Sequence, residues 1–190
     1  ITQDGGCAVV VMQMVYGNAD KDSGTGVLFT RDPAVGKDVL YGEWLPQAQG
    51  EALVSGTKTA LSIDALREMP TVYNDLIGGA RTLETFYGDM QDIEFTVEKG
   101  KLWFLQCRSG KRTPKAAFRI AFDLFTDGKV TKEQAVGMVD WGMVDKAKTR
   151  GGQQRILGRI IGEGTAASPG LVSGRLVFNS RDAVPGTILL

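Results

Sequence analysis

Apolar residues recur at Val72, Leu76, Ala80, Leu83 and Tyr87, spaced by four, four, three and four. This is a single stripe on a helix of 3.6-residue period. Pro70 stands near its start, where a missing N–H costs little. Upstream the pattern is different. Residues 7–15 form a nearly continuous run of β-branched and apolar side chains and predict a mostly buried strand. Shorter strands are predicted at 27–30 and 39–45, separated by the turn-rich stretch 17–26 and by a loop punctuated by Pro33 and Gly36. Such short connections favour antiparallel neighbours. Downstream, 92–108 alternates as a β-hairpin. Thr113-Pro114 then reads as an N-cap followed by proline at the first helical position, opening a helix through Ala117, Ile120, Ala121 and Leu124 that stops near Asp127-Gly128. Thr131 and Gln134 have capping-box spacing and start a further helix. Residues 145–165 read as a basic linker followed by a short strand or helix, and Thr165 to Gly170 as a tight turn. Strands are expected at 171–178 and 186–190. The fold class is α+β, with a mostly antiparallel sheet and flanking helices.

The hairpin carries the chemistry. Asp92, Glu94 and Thr96 share one face of their strand. A two-residue loop at Lys99-Gly100 would pair Asp92 with Cys107. A three-residue loop at 98–100 would pair Asp92 with Gln106 and Glu94 with Phe104, and would place glycine third, where an αL residue follows a type I turn. The expectation taken is the three-residue loop, which gathers Asp92, Glu94, Gln106 and, one step along, Arg108 on one face. Magnesium takes oxygen ligands and uses one or two carboxylates beside substrate phosphates. A carboxamide oxygen adds a ligand without charge, and a guanidinium grips phosphate bidentately. Two carboxylates ~7 Å apart repel by roughly 2 kcal/mol at an effective dielectric of 20 and far less in water. Spacing alone therefore leaves open both a solvated face and a metal-phosphate site.

Composition narrows the classes. The 190 residues include 22 basic and 22 acidic side chains, so no basic excess points to nucleic acid or an anionic membrane. No apolar run approaches the length of a membrane span. The chain contains no histidine, which excludes a Ser-His-Asp triad, a His-ligated zinc site and a histidine phospho-acceptor within it. Cys7 and Cys107 have no CxxC spacing and read as reduced core thiols of a cytoplasmic protein. An opening residue other than Met suggests a fragment or processed chain.

Other features are weaker. Ser23-Gly24-Thr25-Gly26 could be a hairpin turn or a phosphate loop, but no Lys-Ser/Thr follows and the next element is a strand. Lys111 and Arg112 fit solvated charge or phosphate binding. Trp44 and Trp103 read as core or half-core, and Met12, Met14 and Met90 as core filler.

Several segments, in order, resemble the ATP-binding domain of the pyruvate, phosphate dikinases, an ATP-grasp-like nucleotide site. They are 22–33 (Asp-Ser-Gly-Thr-Gly-Val-Leu-Phe-Thr-Arg-Asp-Pro), 40–43 with 48–51 (Leu-Tyr-Gly-Glu, Ala-Gln-Gly-Glu), 89–95 (Asp-Met-Gln-Asp-Ile-Glu-Phe) and 105–113 (Leu-Gln-Cys-Arg-Ser-Gly-Lys-Arg-Thr). The likeness covers residues 7–137. Residues 166–178 resemble the opening of the family's phosphohistidine, or swivelling, domain, and 138–163 depart from it. The resemblance implies three regions: the C-terminal part of a nucleotide-binding domain at 1–137, a linker at 138–163, and the start of a phosphohistidine domain at 164–190. The related phosphoenolpyruvate synthases usually lack the Tyr-Gly-Glu and Gly-Lys-Arg-Thr stretches.

By resemblance, the reaction converts ATP, inorganic phosphate and pyruvate into AMP, pyrophosphate and phosphoenolpyruvate. Glu94 and Gln106 would hold Mg²⁺-ATP, Asp92 would support them, Arg108 would contact phosphate, and Glu43 and Glu51 would lie near the nucleotide or phosphate. Arg108 and Glu94 are the residues assigned to catalysis. The acceptor histidine would lie on the phosphohistidine domain of the parent enzyme, which the family implies is a homo-oligomer, and a lysine- and arginine-bearing half would precede residue 1. Such a piece is not expected to complete the reaction alone. A phosphoenolpyruvate synthase-type fragment and a degenerate, non-catalytic ATP-binding or assembly module are the alternatives.

Overall fold

The computed structural model describes residues 9, 11–55, 58–149, 174–182 and 184–189. The chain divides into two compact units, Ile1–Thr30 with Val39–Gly110, and Arg31–Asp38 with Lys111–Leu190. Cys7 and most of the basic stretch after residue 149 lie outside the described residues.

The first unit is built on a five-stranded antiparallel sheet. Its strands are β1 (Gly24–Phe29), β2 (Tyr41–Pro46), β3 (Leu61–Ser62), β4 (Gln91–Glu98) and β5 (Lys101–Ser109), in spatial order β3-β2-β1-β4-β5. A short helix α1 (Gly50–Val54) follows β2, and the long helix α2 (Pro70–Tyr87) precedes β4. Most of the stripe read from sequence is buried: Val72, Leu76 and Ala80 are sealed from solvent and Leu83 is packed partly against the core, whereas Tyr87, its last member, is 54% exposed. Gly88, in the left-handed region at φ 62°, ends the helix. The stripe packs on one face of the sheet against Leu28, Trp44, Ile93, Phe95 and Val97. Trp44 and Phe95 stack with ring centroids 5.9 Å apart across Gly26 of β1. A Cβ at Gly26 would overlap the Phe95 ring, and one at Gly24 would overlap Trp44. The Gly-Thr-Gly stretch is therefore neither turn nor phosphate loop. It is a strand whose missing side chains make room for the two aromatic rings.

The strand predicted at 7–15 is not found at its described residues, 9 and 11–15. Residues 9 and 11–16 have no regular structure, and Val11 and Met14 are 93% and 67% exposed. β-Branched composition fits a pleated, half-buried surface, but a strand also needs a ladder partner, and none of the described strands pairs with this segment. Met12 and Met14 are thus exposed rather than core filler, whereas Met90 is fully buried. Trp44 is core and Trp103 half-buried, as their strand positions suggest.

The second unit holds α3 (Pro114–Thr126), α4 (Lys132–Gly137) and α5 (Trp141–Thr149), with a parallel pair of short strands, β6 (Arg175–Val177) and β7 (Thr187–Leu189). Thr113 caps α3 by accepting from the Ala116 N–H at 3.1 Å. Thr131 and Gln134 form the reciprocal capping box of α4. Arg31 is fully buried, with Asp38 at 3.8 Å and Asp123 at 3.7 Å. An apolar groove of about 490 Å³ lies among Phe118, Phe122, Phe125, Val136 and Trp141.

Candidate functional site

The β4–β5 hairpin does not have the three-residue loop expected from sequence. Glu98 pairs with Lys101, which leaves a two-residue turn at Lys99 and Gly100. Both lie in the left-handed region, at φ 50° and 74°, as a type I′ turn requires. The turn is anchored by two hydrogen bonds: the Gly100 N–H donates to the Asp22 carbonyl, and the Lys99 N–H to the Ser23 hydroxyl, both at 2.9 Å. These contacts, distant in sequence, favour the tighter turn.

The ladder then runs Val97–Leu102, Thr96–Trp103 and Phe95–Phe104 before shifting by one residue. Leu105 is the extra residue of a β-bulge. Beyond it Glu94 pairs with Gln106, Ile93 with Cys107 and Asp92 with Arg108. The expected pairs of Asp92 with Gln106 and Glu94 with Phe104 are therefore wrong by two residues. An error of two preserves the face, where an error of one would have reversed it. The four side chains still converge.

Arg108 closes the cluster. Its Nε donates to Asp92 Oδ2 at 2.9 Å and its Nη2 lies 3.5 Å from Glu94 Oε1. The guanidinium titrates above its usual strongly basic range. The hydrogen bond to Asp92 and the Asp92 charge are the main causes, burial acts slightly the other way, and Glu94 adds less. Arg108 is 56% exposed, Glu94 40% and Asp92 13%. Exposure on that scale keeps such pairs to about 0–1 kcal/mol. This ion triad neutralises a site more than it holds the fold.

The antiparallel register extends the polar face across the sheet. One row reads Glu43, Val27, Glu94, Gln106, and the next Tyr41, Phe29, Asp92, Arg108. Glu43 thus lies level with Glu94, two strand spacings or roughly 9.5 Å away. Glu51 is elsewhere. It sits on α1 and lines a separate cavity of about 340 Å³ with Asn18, Gln47, Gln49 and Lys58. The structure therefore brings together Asp92, Glu94, Gln106 and Arg108, sets Glu43 on the same face at a distance, and does not bring Glu51 to them. Trp103 and Lys101 share that face too, with the Lys101 ammonium 4.2 Å from the Trp103 ring centroid. The sequence does not single out Lys101, and it leaves Trp103 as core or half-core in preference to adenine stacking. Period-two counting from the correct turn would have placed both.

Glu94 and Gln106 face each other directly and offer a carboxylate and a carboxamide oxygen, a donor set that fits magnesium with its remaining positions left to phosphate and water. Among the described residues no group of three or more Cys, Asp or Glu side chains is placed so that it could hold a metal ion. An all-protein cage is not what this face provides. Among the described residues no helix is long and apolar enough to cross a membrane.

Residues 72–127 match the family described as pyruvate phosphate dikinase, AMP/ATP-binding domain. This stretch contains all but the first two residues of α2, the hairpin with all four clustered side chains, and α3. The α+β architecture is consistent with the ATP-grasp-like domain that the motifs resemble. More specifically, the chain is homologous to the pyruvate, phosphate dikinases. It is 45% identical to pyruvate, phosphate dikinase 2 of Zea mays over 181 residues, 94% of this chain and 20% of that protein. It is 44% identical to the enzymes named pyruvate, phosphate dikinase of Rhizobium meliloti and Clostridium symbiosum, over 94% and 96% of this chain and 21% of each relative. The chain spans about one fifth of the length of these relatives.

Proposed function

We propose that this chain supplies one wall of the Mg-ATP site of a pyruvate, phosphate dikinase, an enzyme that converts ATP, inorganic phosphate and pyruvate into AMP, pyrophosphate and phosphoenolpyruvate. The observation that carries the proposal is the direct opposition of Glu94 to Gln106 beside an arginine that already spans two carboxylates. Glu94 and Gln106 would hold magnesium, which when bound supplies neutralising charge on the phosphate oxygens. Asp92 orients Arg108 by accepting the hydrogen bond from its Nε. In the absence of nucleotide the guanidinium contacts both carboxylates and offsets one of their two charges. When phosphates arrive they compete for the same N–H donors, and a planar fork can move from carboxylate to phosphate oxygens with little change of position. Arg108 then stabilises charge on the transferring group. Glu43, level with Glu94, is placed to meet a more distant part of the nucleotide, and Glu51 would act only if the ligand also reached its cavity.

The chain has no histidine, so the phosphoryl acceptor would belong to the phosphohistidine domain of the parent enzyme. Homo-oligomeric assembly and a cytoplasmic setting belong to the same proposal. A plastid is the other setting, since pyruvate, phosphate dikinase 1 of Zea mays is described as chloroplastic.

A thermal-shift titration with Mg-ATP tests the reading. Mg-ATP should raise the melting midpoint of the chain, and Glu94→Ala and Gln106→Ala should each abolish the rise. A shift of the same size in both variants would refute it.

A further inference from the structure

Phe104 and Cys107 lie three residues apart on β5, yet both belong to the face that packs toward α2. Phe104 pairs with the buried Phe95 and Cys107 with the buried Ile93. A strand of period two cannot place two residues of odd spacing on one face without an inserted residue. Leu105 is that residue. In an unbroken strand Gln106 would follow Phe104 onto the face toward α2, and Arg108 would go with it. The bulge turns both to the carboxylate face.

The bulge is pinned from beneath. A Cβ at Gly79 of α2 would overlap the tip of the Phe104 ring. The ring therefore sits in a socket that exists only because position 79 has no side chain. Glycine in the middle of a helix is unfavourable to it, and Gly79 is six residues or more from either end of α2. Its neighbour Gly78 has open space where a Cβ would stand, so the requirement for space is specific to position 79.

We infer that Gly79 is a positioning residue of the nucleotide site: by seating Phe104 it fixes the bulge at Leu105, and so aims Gln106 and Arg108 at Glu94 and Asp92. The inference rests on the nucleotide-site reading for its functional part, whereas the socket itself can be tested without nucleotide.

The experiment uses the full chain, with backbone amide spectra and calorimetric titration of Mg-ATP. In Gly79→Ala the methyl should push the Phe104 ring outward. The amide signals of Leu105, Gln106 and Arg108 should move, and Mg-ATP should bind about tenfold more weakly, in line with the cost of sub-ångström to ångström misplacement. Alanine is the better helix former and the Phe104 ring is partly exposed, so the melting midpoint should fall less than in Gly26→Ala, whose methyl meets the fully buried Phe95. A second substitution, Phe104→Leu in the Gly79→Ala background, should restore both signals and affinity by shortening the side chain that clashes. Unmoved signals at 105–108 in Gly79→Ala would overturn the inference, as would an affinity loss that Phe104→Leu does not reverse. Absence of Mg-ATP binding by the unsubstituted chain would sink the nucleotide-site reading instead, while the amide signals would still decide the socket.

Discussion

Asp92 and Arg108 stand directly opposite each other on β4 and β5, joined through Nε and Oδ2 at 2.9 Å, and the same guanidinium reaches Glu94. Two carboxylates and one guanidinium leave the cluster with one net negative charge. That sign is wrong for a polyphosphate on its own.

The first prediction follows from that charge. ATP without a divalent cation should bind at least about tenfold more weakly than Mg-ATP, because an uncompensated carboxylate beside phosphate oxygens costs more than 1.4 kcal/mol at short range. Calorimetry with and without a chelator measures the ratio. Equal affinities would mean that Glu94 does not meet the phosphates through a metal.

Arg108→Lys keeps the charge but loses the planar fork that spans Asp92 and Glu94. It should leave folding stability within about 1 kcal/mol, as befits an exposed ion pair, and weaken Mg-ATP binding by about tenfold through loss of bidentate contact. Denaturant unfolding and nucleotide titration of one preparation separate the two effects.

Tyr87 titrates above the ordinary tyrosine value, first because of its hydrogen bond with Cys107, then because of charge on Cys107, and last through burial. A phenol whose folded pKa is raised holds its proton more tightly in the folded state. Its contribution to stability is complete below the unfolded pKa and is lost as pH rises through the folded one. Cys107→Ala should return Tyr87 toward the ordinary value, measured by phenolate absorbance against pH. An unchanged titration curve would show that the contact does not govern it.

Gly26→Ala should disturb the core without touching the polar face. Its methyl would overlap Phe95 and lies close to the Glu43 carbonyl. The cost should be about 1–3 kcal/mol, as for overpacking elsewhere, with a change in Trp44 fluorescence as the stack with Phe95 opens. An intact fluorescence spectrum at unchanged stability would contradict the packing described.

The elements legible in the sequence were those fixed by local chemistry. Helix α2 declared itself by period and Pro70, α3 by Thr113-Pro114, and α4 by the pairing of Thr131 with Gln134. The polar cluster was legible because alternation along β4 is regular. The loop at Lys99-Gly100 and the bulge at Leu105 were not. The turn is held by Asp22 and Ser23, more than seventy residues earlier, and the bulge by Gly79 of a different element. The tighter turn and the bulge each move the register by one residue in the same direction, so the pairing differs by two and the same four side chains share a face. The apolar run at 7–15 shows the opposite failure: strong strand composition without a described partner. The family likeness, carried by Asp92, Glu94, Gln106 and Arg108 and their flanking motifs, was readable because those motifs are contiguous and in order.

On the proposed function, Glu94 and Gln106 together hold the metal of a metal–nucleotide complex. Its most direct test is a titration of the isotope-labelled chain with ATP and Mn²⁺, which takes oxygen ligands as Mg²⁺ does but broadens nearby signals. The amides of Glu94 and Gln106 should broaden first, followed by those of Asp92 and Arg108. Broadening centred elsewhere, with Glu94 and Gln106 unaffected, would contradict it.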